Sequence, residues 1–346
     1  MSRESNQMAY VAEITHLIPI KDADMICKAV INCGWPVVVK KEEFKVGDLV
    51  IMCEIDSWIP TTIADFLSKG KEPKIYNGVQ GERLKAVRLK KTPSQGLVLP
   101  LSILDKFGVT EREKGSHVGE ALGIQKWEAP EGFSAGNARG SFPNFWKKSD
   151  QERIQNLHHE VFGNSEAMTS QWEITTKMDG SSMSVGLVDG AFTVASRNIN
   201  LKIDSDDSTF VTVAKKVFGD SGELLKNYDN LQFIGELCGG KIQANFEQLD
   251  DYEYRIFDIF DINKGEFLSP NDRHTIVRDL NIKHVPVLTI DSLNNLGLVD
   301  IDKMLVFAEG PSMNGKGFRE GIVFKRMDGQ FSFKCVSNQY VEDKST

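Results

Sequence analysis

Short runs of aliphatic and β-branched residues, separated by glycine, proline, aspartate and lysine, fill about the first 110 residues. The runs are MAYVAEITHLIPI, AVINCGWPVVVK, DLVIMCEID, RLKAVRLKK and GLVLPL. Each is long enough for one or two strands and is bounded by residues that favour turns. About five short strands at this spacing predict a small β-barrel or sandwich, with the OB-fold barrel as the best match over residues 1–127.

The pattern breaks at residues 128–145, EAPEGFSAGNARGSFPNF, where glycine, proline, alanine and asparagine replace the alternating runs. Such a stretch predicts an interdomain linker. The chain has 346 residues, which is enough for two domains with separate cores. We therefore expect a second domain over residues 146–346.

Strands and helices are mixed in this second part, which predicts an α+β domain. A helix is expected over KKSDQERIQNLHHEVFG, capped by Ser149 or Asp150, and another near 206–218. The segment WEITTKMDGSSMSVG begins a three-strand meander, with tight turns at Asp179-Gly180 and Asp189-Gly190. LQFIGELCG and YEYRIFDIF are further strands.

The last hundred residues predict two helices and a hairpin. The helices lie over SPNDRHTIVRDL, capped by Ser269, and over SLNNLGLVDIDKMLVFAEG. The strands EGIVFKR and FSFKCVS are expected to pair across Asp328-Gly329.

Composition and charge narrow the class of protein. No apolar run is long enough to span a membrane, and the first residues, MSRESNQMAY, lack the apolar core of a secretion signal. The five cysteines are odd in number and form no C-x-x-C pair, which favours a reducing compartment, cytoplasmic or nuclear, and argues against a structural zinc site. The net charge of −8 argues weakly against a nucleic-acid partner.

Positive charge is nevertheless concentrated in one segment. Residues 69–91 contain eight lysines and arginines against Glu72 and Glu82. This segment is either a solvated strand edge that lysine protects from aggregation or a surface that binds phosphates.

Lys177 is at the end of a predicted strand, where it shares one face with Glu173 and Thr175. It also begins the sequence Lys-Met-Asp-Gly. A lysine nucleophile needs a lowered pKa, a neighbouring acid can hold a metal, and glycine permits close approach of a ligand. Glu236 in FIGEL and Glu320 before Gly321 are further acids beside glycine on β elements. Asp179, Glu236 and Glu320 could converge on one divalent cation, although a solvated lysine and solvated acids are the plain alternative.

Other catalytic patterns are excluded. Gly235–Lys241 has the spacing of a P-loop, but Ile242 stands where the metal-binding serine or threonine is required. The six histidines show no metal-ligand spacing, and G-x-S-x-G and H-E-x-x-H do not occur.

Taken in order, these motifs resemble those of the covalent nucleotidyltransferases, and among them the ATP-dependent RNA ligases. Lys177-Met178-Asp179-Gly180 resembles the motif whose lysine takes AMP as a phosphoramide. The segments that resemble the later motifs are Ser196-Arg197-Asn198, FIGEL with Glu236, RIFDI with Phe257, Glu320-Gly321-Ile322-Val323, and FSFKCVS with Lys334. A β-barrel before this core is similar to the Naegleria-type RNA ligases, whose N-terminal domain is an OB fold.

The resemblance implies a fold and a set of roles. It implies an OB-fold barrel followed by an adenylyltransferase domain, an ATP-grasp-like nucleotidyltransferase of antiparallel sheets and helices. Lys177 would be the nucleophile, and Mg²⁺ or Mn²⁺ would be held by Asp179, Glu236 and Glu320, largely through waters. The remaining contacts to ATP or phosphate would come from Thr176, Gly180, Ser182, Arg197, Phe257, Lys334, Arg153 and Lys325.

One departure concerns the last motif, where related enzymes have two lysines and this chain has Lys334 and Val336. Lys325 or Arg326 on the neighbouring strand could replace the second lysine, or phosphate stabilisation could be weaker.

The implied activity is the joining of an RNA 3′-hydroxyl to a 5′-phosphate, as at a nick in a duplex, by a monomeric enzyme. A DNA-joining or GTP-using enzyme is one alternative, and a nucleic-acid-binding module without turnover is another. The N-terminal barrel would either orient pyrophosphate through a second metal or bind RNA.

Overall fold

The computed structural model describes residues 7–128, 137–205, 207–243 and 245–344. The chain forms two compact units, one of Met1–Ala129 with Lys344–Thr346 and the other of Pro130–Asp343. Among the described residues, no helix is both long and apolar enough to cross a membrane. All five cysteines are buried and free.

The first unit is built of short antiparallel strands. They are β1 (Ala9–Pro19), β2 (Ile26–Ile31), β3 (Pro36–Lys40), β4 (Leu49–Cys53), β5 (Ser57–Pro60), β6 (Lys74–Tyr76), β7 (Val79–Arg83), β8 (Val87–Leu89), β9 (Thr92–Ser94), β10 (Leu97–Pro100) and β11 (Gln125–Lys126). The single α-helix described in this unit, α1, covers Thr61–Ala64, and 3-10 turns cover Asp65–Ser68 and Leu101–Phe107.

These strands form three sheets, ordered β10-β4-β1-β2-β3, β11-β5-β7-β6 and β8-β9. All five predicted runs contain strands, and AVINCGWPVVVK divides into β2 and β3. Alternation fixes the buried face: Cys27, Ala29 and Ile31 of β2 point into the core. The small sheet around β7 was not predicted, because KIY and VQGER carry no marked apolar alternation.

The second unit contains two larger sheets and six helices among its described residues. The strands are β12 (Ala138–Ser141), β13 (Glu152–Arg153), β14 (Gln171–Lys177), β15 (Ser181–Val188), β16 (Ala191–Ser196), β17 (Ile199–Leu201), β18 (Leu231–Cys238), β19 (Glu253–Asp261), β20 (Glu266–Phe267), β21 (Val287–Ser292), β22 (Gly321–Arg326) and β23 (Ser332–Val336). The helices are α2 (His158–Phe162), α3 (Ser165–Thr169), α4 (Thr209–Phe218), α5 (Pro270–Asp279), α6 (Ile301–Ala308) and α7 (Asn338–Lys344).

The sheets have the orders β12-β17-β16-β15-β18-β19-β20 and β13-β23-β22-β14-β21. Each has its own apolar core. Phe218, Phe233 and Tyr254 lie in the core of the seven-stranded sheet, and Trp172 and Phe333 lie in that of the five-stranded sheet. All pairings are antiparallel except that of β13 with β23.

The three-strand meander predicted from WEITTKMDGSSMSVG is wrong at its first turn. β15 and β16 form the expected hairpin, with Asp189 and Gly190 at positive φ. β14 instead pairs with β22 and β21 in the other sheet. The Asp179-Gly180 segment therefore carries the chain from one sheet to the other, which a local turn signal cannot distinguish from a hairpin.

Two predicted helices are shorter than expected. In KKSDQERIQNLHHEVFG only His158–Phe162 is α-helical, and Glu152–Arg153 is a strand instead. Ser149 caps no helix, because its hydroxyl donates to Asp258. The helix near 300 covers only Ile301–Ala308, with Asp300 as its cap.

Other predictions in the second unit are confirmed. Ser269 caps α5, the segments LQFIGELC and EYRIFDIFD are strands, and β22 and β23 form the last hairpin. The helix near 206–218 covers Thr209–Phe218, and residue 206 lies outside the described residues. Of the predicted linker 128–145, residues 129–136 lie outside them too, while Ala138–Ser141 is a strand of the seven-stranded sheet.

Candidate nucleotide-binding and catalytic site

Lys177 is the last residue of β14, at the point where the chain leaves the five-stranded sheet. Four residues later Ser181 begins β15 in the seven-stranded sheet. Gly180 makes this crossing possible, since a Cβ there would stand 2.5 Å from the Leu237 carbonyl oxygen and 2.8 Å from Glu236 Cγ. The lysine is thereby placed between the sheets rather than at a solvated strand end.

The ammonium of Lys177 donates to Glu320, with Nζ 2.8 Å from Oε2. Pairing of β14 with β22 sets Lys177 opposite Gly321, so the acid before Gly321 lies beside it. Burial works to lower the pKa of Lys177, but the carboxylates of Glu320, Glu236 and Asp179 outweigh it and raise that pKa above 10.5. In this arrangement the amine is protonated.

Asp179 is buried and accepts a hydrogen bond from the hydroxyl of Tyr340, with the two oxygens 2.8 Å apart. Tyr340 lies on α7, after the last sequence motif, and its ring packs against Phe246. The helix thus holds the carboxylate that follows Lys177 by two positions.

Glu236 lies on β18 directly opposite Ser182 of β15. Burial raises its pKa to about 8; Lys177 opposes this, while Glu320 and Asp179 reinforce it. Three neighbouring carboxylates are a donor set suited to a divalent cation, which prefers carboxylate oxygens and would offset the repulsion between like charges. The residues present therefore fit the metal that the sequence motifs implied.

A cavity of about 490 Å³ opens beside these groups. Nine of the twelve predicted site residues line it: Thr176, Lys177, Gly180, Ser182, Arg197, Glu236, Phe257, Lys325 and Lys334. The other three lie next to it: Glu320 and Asp179 act on Lys177, and Arg153 pairs in register with Lys334. The structure thus brings all twelve residues to one region of the second unit.

Phe257 has Val285 and Met178 as apolar neighbours. Lys325 supports it from β22: Nζ donates to the Phe257 carbonyl oxygen at 2.5 Å and stands 5.3 Å from the ring centroid. Lys325 is also ion-paired with Asp258, and burial lowers the Lys325 pKa to about 8. Its contacts therefore tie it to the aromatic end of the cavity.

Lys334 is the cation of β23 that faces the cavity. Burial, together with the charges of Lys177 and Arg153, lowers its pKa to about 8. Val336 is two residues further along the strand, is buried, and lies opposite Gly321. No second lysine is present at that position.

Arg197 forms a two-pronged ion pair with Asp150, with nitrogen–oxygen distances of 2.8 and 3.0 Å. Both residues line the cavity. Asp150 was predicted only as a possible helix cap, and nothing in its local sequence indicates this partner.

A second titratable cluster includes Glu173, which is on the same strand as Lys177. Glu173, His274 and His284 offer ligand atoms within 4.8 Å of one another, the geometry of a metal site. Arg273 already occupies the cluster, because it donates to Glu173 and, at 3.0 Å, to Nε2 of His284. We therefore interpret it as a buried ion-pair network that joins β14 to α5.

The functional neighbours that the sequence did not reveal are Tyr340, Asp150 and Asp258. Of the three, only Asp258 could have been noticed in the sequence. It is an acid in a buried strand, directly after Phe257, and the two side chains point to opposite faces of that strand. Tyr340 is 161 residues from Asp179, a separation at which sequence pattern gives no information.

A lysine beside three acids, at a cavity lined by residues of both large sheets, is the arrangement that the resemblance to the covalent nucleotidyltransferases implies. An RNA ligase family model matches residues 170–336, and an OB-fold domain model matches residues 8–101. No curated protein sequence matches the chain.

Solved structures of a Naegleria gruberi RNA ligase are similar over nearly the whole chain. A mutant with ATP and Mn is 37% identical, with 98% of this chain and 100% of that chain covered and a TM-score of 0.79. The ligase with PPi is 37% identical, with 97% and 98% covered and a TM-score of 0.77. An apo mutant is 36% identical, with 98% and 99% covered and a TM-score of 0.79.

The chain therefore belongs to the RNA ligase family, in the branch with an N-terminal OB fold. The predicted α+β architecture and the predicted enzyme class, a ligase, are confirmed.

Proposed function

We propose that this protein joins RNA 3′-hydroxyl and 5′-phosphate ends in three steps that use ATP. Lys177 Nζ first attacks the α-phosphorus of ATP, forming a P–N bond and releasing pyrophosphate. AMP then passes to the RNA 5′-phosphate, which frees the lysine. Finally the 3′-hydroxyl attacks the activated phosphate, forming the phosphodiester and releasing AMP.

The observation that carries this proposal is the position of Lys177 at the wall of the cavity, with Nζ 2.8 Å from Glu320. An amine attacks only when neutral, and three carboxylates hold this one protonated. For the first step, positive charge must therefore offset the three carboxylates, so that Lys177 can lose its proton.

We propose that Asp179, Glu236 and Glu320 hold Mg²⁺ or Mn²⁺, largely through waters. The bound cation supplies positive charge that lowers the Lys177 pKa and stabilises charge at the α-phosphate. The solved Naegleria ligase structures with ATP or AMP contain Mn, which supports a divalent metal here.

The remaining cavity residues divide by chemistry. Phe257 offers an aromatic surface for the purine, and Lys325 fixes its backbone. Lys334 and Arg197 offer cations for phosphates, and Arg153 lies beside Lys334 on the neighbouring strand. Thr176, Gly180 and Ser182 supply small side chains or backbone at the cavity wall, where a nucleotide can approach closely.

The substrate and organisation complete the proposal. We propose a nicked RNA duplex as the substrate and a monomeric enzyme of two domains, for which the sequence predicts bounds of 1–127 and 146–346 and to the second of which β12 also belongs. Light scattering of the purified protein tests the monomer directly.

The test of substrate class is a nick-sealing assay in which each strand in turn is RNA or DNA. We expect sealing when the 3′-hydroxyl strand is RNA, because the adjacent 2′-hydroxyl is the group that distinguishes the two at the break. Equal sealing of an all-DNA nick would replace the proposal with a general polynucleotide ligase. Replacement of ATP by GTP in the same assay tests the nucleotide.

A further inference from the structure

The β8–β9 hairpin of the first unit carries four cations on eleven residues, 84–94. They are Lys85, Arg88, Lys90 and Lys91, and the nearest acids along the chain are Glu82 and Asp105. Two of the other four cations of the basic segment differ in this respect, since Lys74 pairs with Glu82, and Arg83 pairs with Asp56. Among the described residues none of the hairpin's four cations forms an ion pair.

The turn of this hairpin is unusual for its sequence. Leu89 pairs with Thr92, so Lys90 and Lys91 are the two central residues, with φ of 50° and 63°. Two positive φ values define a type I′ turn, which strongly prefers Asn-Gly because longer side chains are strained there. The β6–β7 hairpin of the same unit has that preferred sequence, with Asn77 and Gly78 at φ of 49° and 78°.

Lysine at these positions is therefore not explained by the turn. Protection of a strand edge from aggregation explains lysines along a strand, but the tip of a hairpin is not an edge. Both side chains are exposed, as is that of Lys85, while Arg88 is half-buried. The Nε of Arg88 is shielded from solvent without a hydrogen-bond partner among the described residues. Residues other than glycine that are held at positive φ, as Lys90 and Lys91 are, are concentrated at functional sites.

The hairpin also exposes apolar surface. Val87 is 47% and Leu89 42% exposed, and the two alternate with Arg88 along β8. The hairpin is anchored to β3 of the first unit, because Ser94 Oγ accepts from Val38 N at 3.0 Å and Gln95 N donates to the Pro36 oxygen at 2.8 Å. A firmly attached hairpin that presents cations at its tip suits contacts to the phosphate oxygens of a nucleic-acid backbone.

We propose that the β8–β9 hairpin binds the sugar-phosphate backbone of the RNA duplex. This inference rests on the proposed ligase function and assigns the RNA-binding role, rather than pyrophosphate orientation, to this part of the first unit. Contacts to phosphates read neither the bases nor the 2′-hydroxyl, so the hairpin contributes affinity and not discrimination between RNA and DNA.

The decisive variant is Lys90→Asn with Lys91→Gly, in the full-length protein. It removes two charges and gives the turn its preferred sequence, so the hairpin is retained and the melting temperature is equal or higher. The matched control is Lys45→Asn with Lys106→Asn, which removes two exposed charges of the same unit outside the hairpin.

The measurement is fluorescence anisotropy with a labelled nicked RNA duplex, between about 50 and 200 mM salt. The slope of log K against log salt is negative, and each lost phosphate contact makes it shallower by about 0.9. We therefore expect the slope of the hairpin variant to be shallower by up to about 1.8 and that of the control to be unchanged. An all-DNA nick should lose affinity by the same factor.

Two results would overturn the proposal. One is an unchanged affinity and salt slope in the hairpin variant. The other is loss of lysyl-AMP formation from ATP, a step without RNA, which would place the hairpin in the ATP reaction instead. A wild-type protein that forms no lysyl-AMP and seals no nick would contradict the ligase function itself and is distinguishable from both.

Discussion

Lys334 and Lys325 face the same cavity from neighbouring strands, but their partners differ. Lys334 has cationic neighbours, Lys177 and Arg153, whereas Lys325 is bound to Asp258 and to the Phe257 carbonyl. The first is available to phosphate, and the second organises the surface offered to the purine. Lys325 is thus poorly placed to do the work of the second lysine, which is replaced by Val336 in this chain.

We expect Lys334→Ala to lower the rate of lysyl-AMP formation about a hundredfold or more while stability changes little. Lys325→Ala breaks a buried ion pair, so it should lower the free energy of unfolding by about 3 kcal/mol and weaken ATP binding. Thermal denaturation and single-turnover kinetics separate the two effects. Normal chemistry in Lys334→Ala would remove this lysine from the site.

The hydrogen bond from Tyr340 to Asp179 predicts a graded pair of variants. Asp179→Asn removes the charge proposed to attract the cation, and Tyr340→Phe removes only the hydroxyl that orients it. We expect both to raise the Mn²⁺ concentration needed for lysyl-AMP formation, with the larger increase in Asp179→Asn.

Mn²⁺ binding followed by electron paramagnetic resonance gives a readout that is independent of turnover. Equal Mn²⁺ affinity in wild type and Tyr340→Phe, with an unchanged metal requirement, would show that the tyrosine is only a packing residue.

At the scale of elements, β14 joins the nucleophile to a buried polar network. Burial works to raise the pKa of Glu173, but the hydrogen bond with His274 and the charge of Arg273 lower it to about 2. Burial lowers the pKa of His284 to about 3, and Arg273 adds to the effect. The network ties α5 to the strand that ends at Lys177.

The network predicts that stability falls in acid. Unfolded histidine and glutamate take up protons near pH 6.5 and 4.5, whereas the folded groups do so only near 3 and 2, so the unfolded state gains protons first. The free energy of unfolding should fall by about 2 kcal/mol from about pH 7.5 to about pH 5 because of His284. Urea denaturation of wild type and His284→Gln measures this; equal pH dependence in both would contradict it.

The sequence predicted correctly those turns and helix caps that depend only on residues next to one another in the chain. The Asp189-Gly190 and Asp328-Gly329 turns and the Ser269 cap depend on neighbouring residues only. Asp179-Gly180 has the same dipeptide, but whether the flanking strands pair is decided by β22 and β18, more than fifty residues away. The motif residues could be identified by resemblance, whereas Asp150 and Tyr340 become apparent only when the chain is folded.

At the scale of the whole molecule, the two compact units predict separable tasks. All twelve proposed site residues lie within Pro130–Asp343. A protein of residues 130–346 should fold, because both large sheets are retained, and it should lose nick sealing more than lysyl-AMP formation. Circular dichroism and the two assays check this.

The truncated protein also decides between the two roles of the first unit. A comparable loss of lysyl-AMP formation would indicate that this unit orients pyrophosphate. Sealing as efficient as that of the full chain would contradict an RNA-binding role for it.

The central claim is that Lys177 becomes covalently bound to AMP. Incubation with ATP labelled at the α-phosphate should label the wild-type protein through an acid-labile bond that pyrophosphate reverses, and γ-labelled ATP should give no label. Lys177→Ala and Lys177→Arg should both remain unlabelled, since guanidinium stays protonated and cannot attack. Peptide mapping should place AMP on Lys177; a labelled Lys177→Ala protein, or AMP on another residue, would contradict the account.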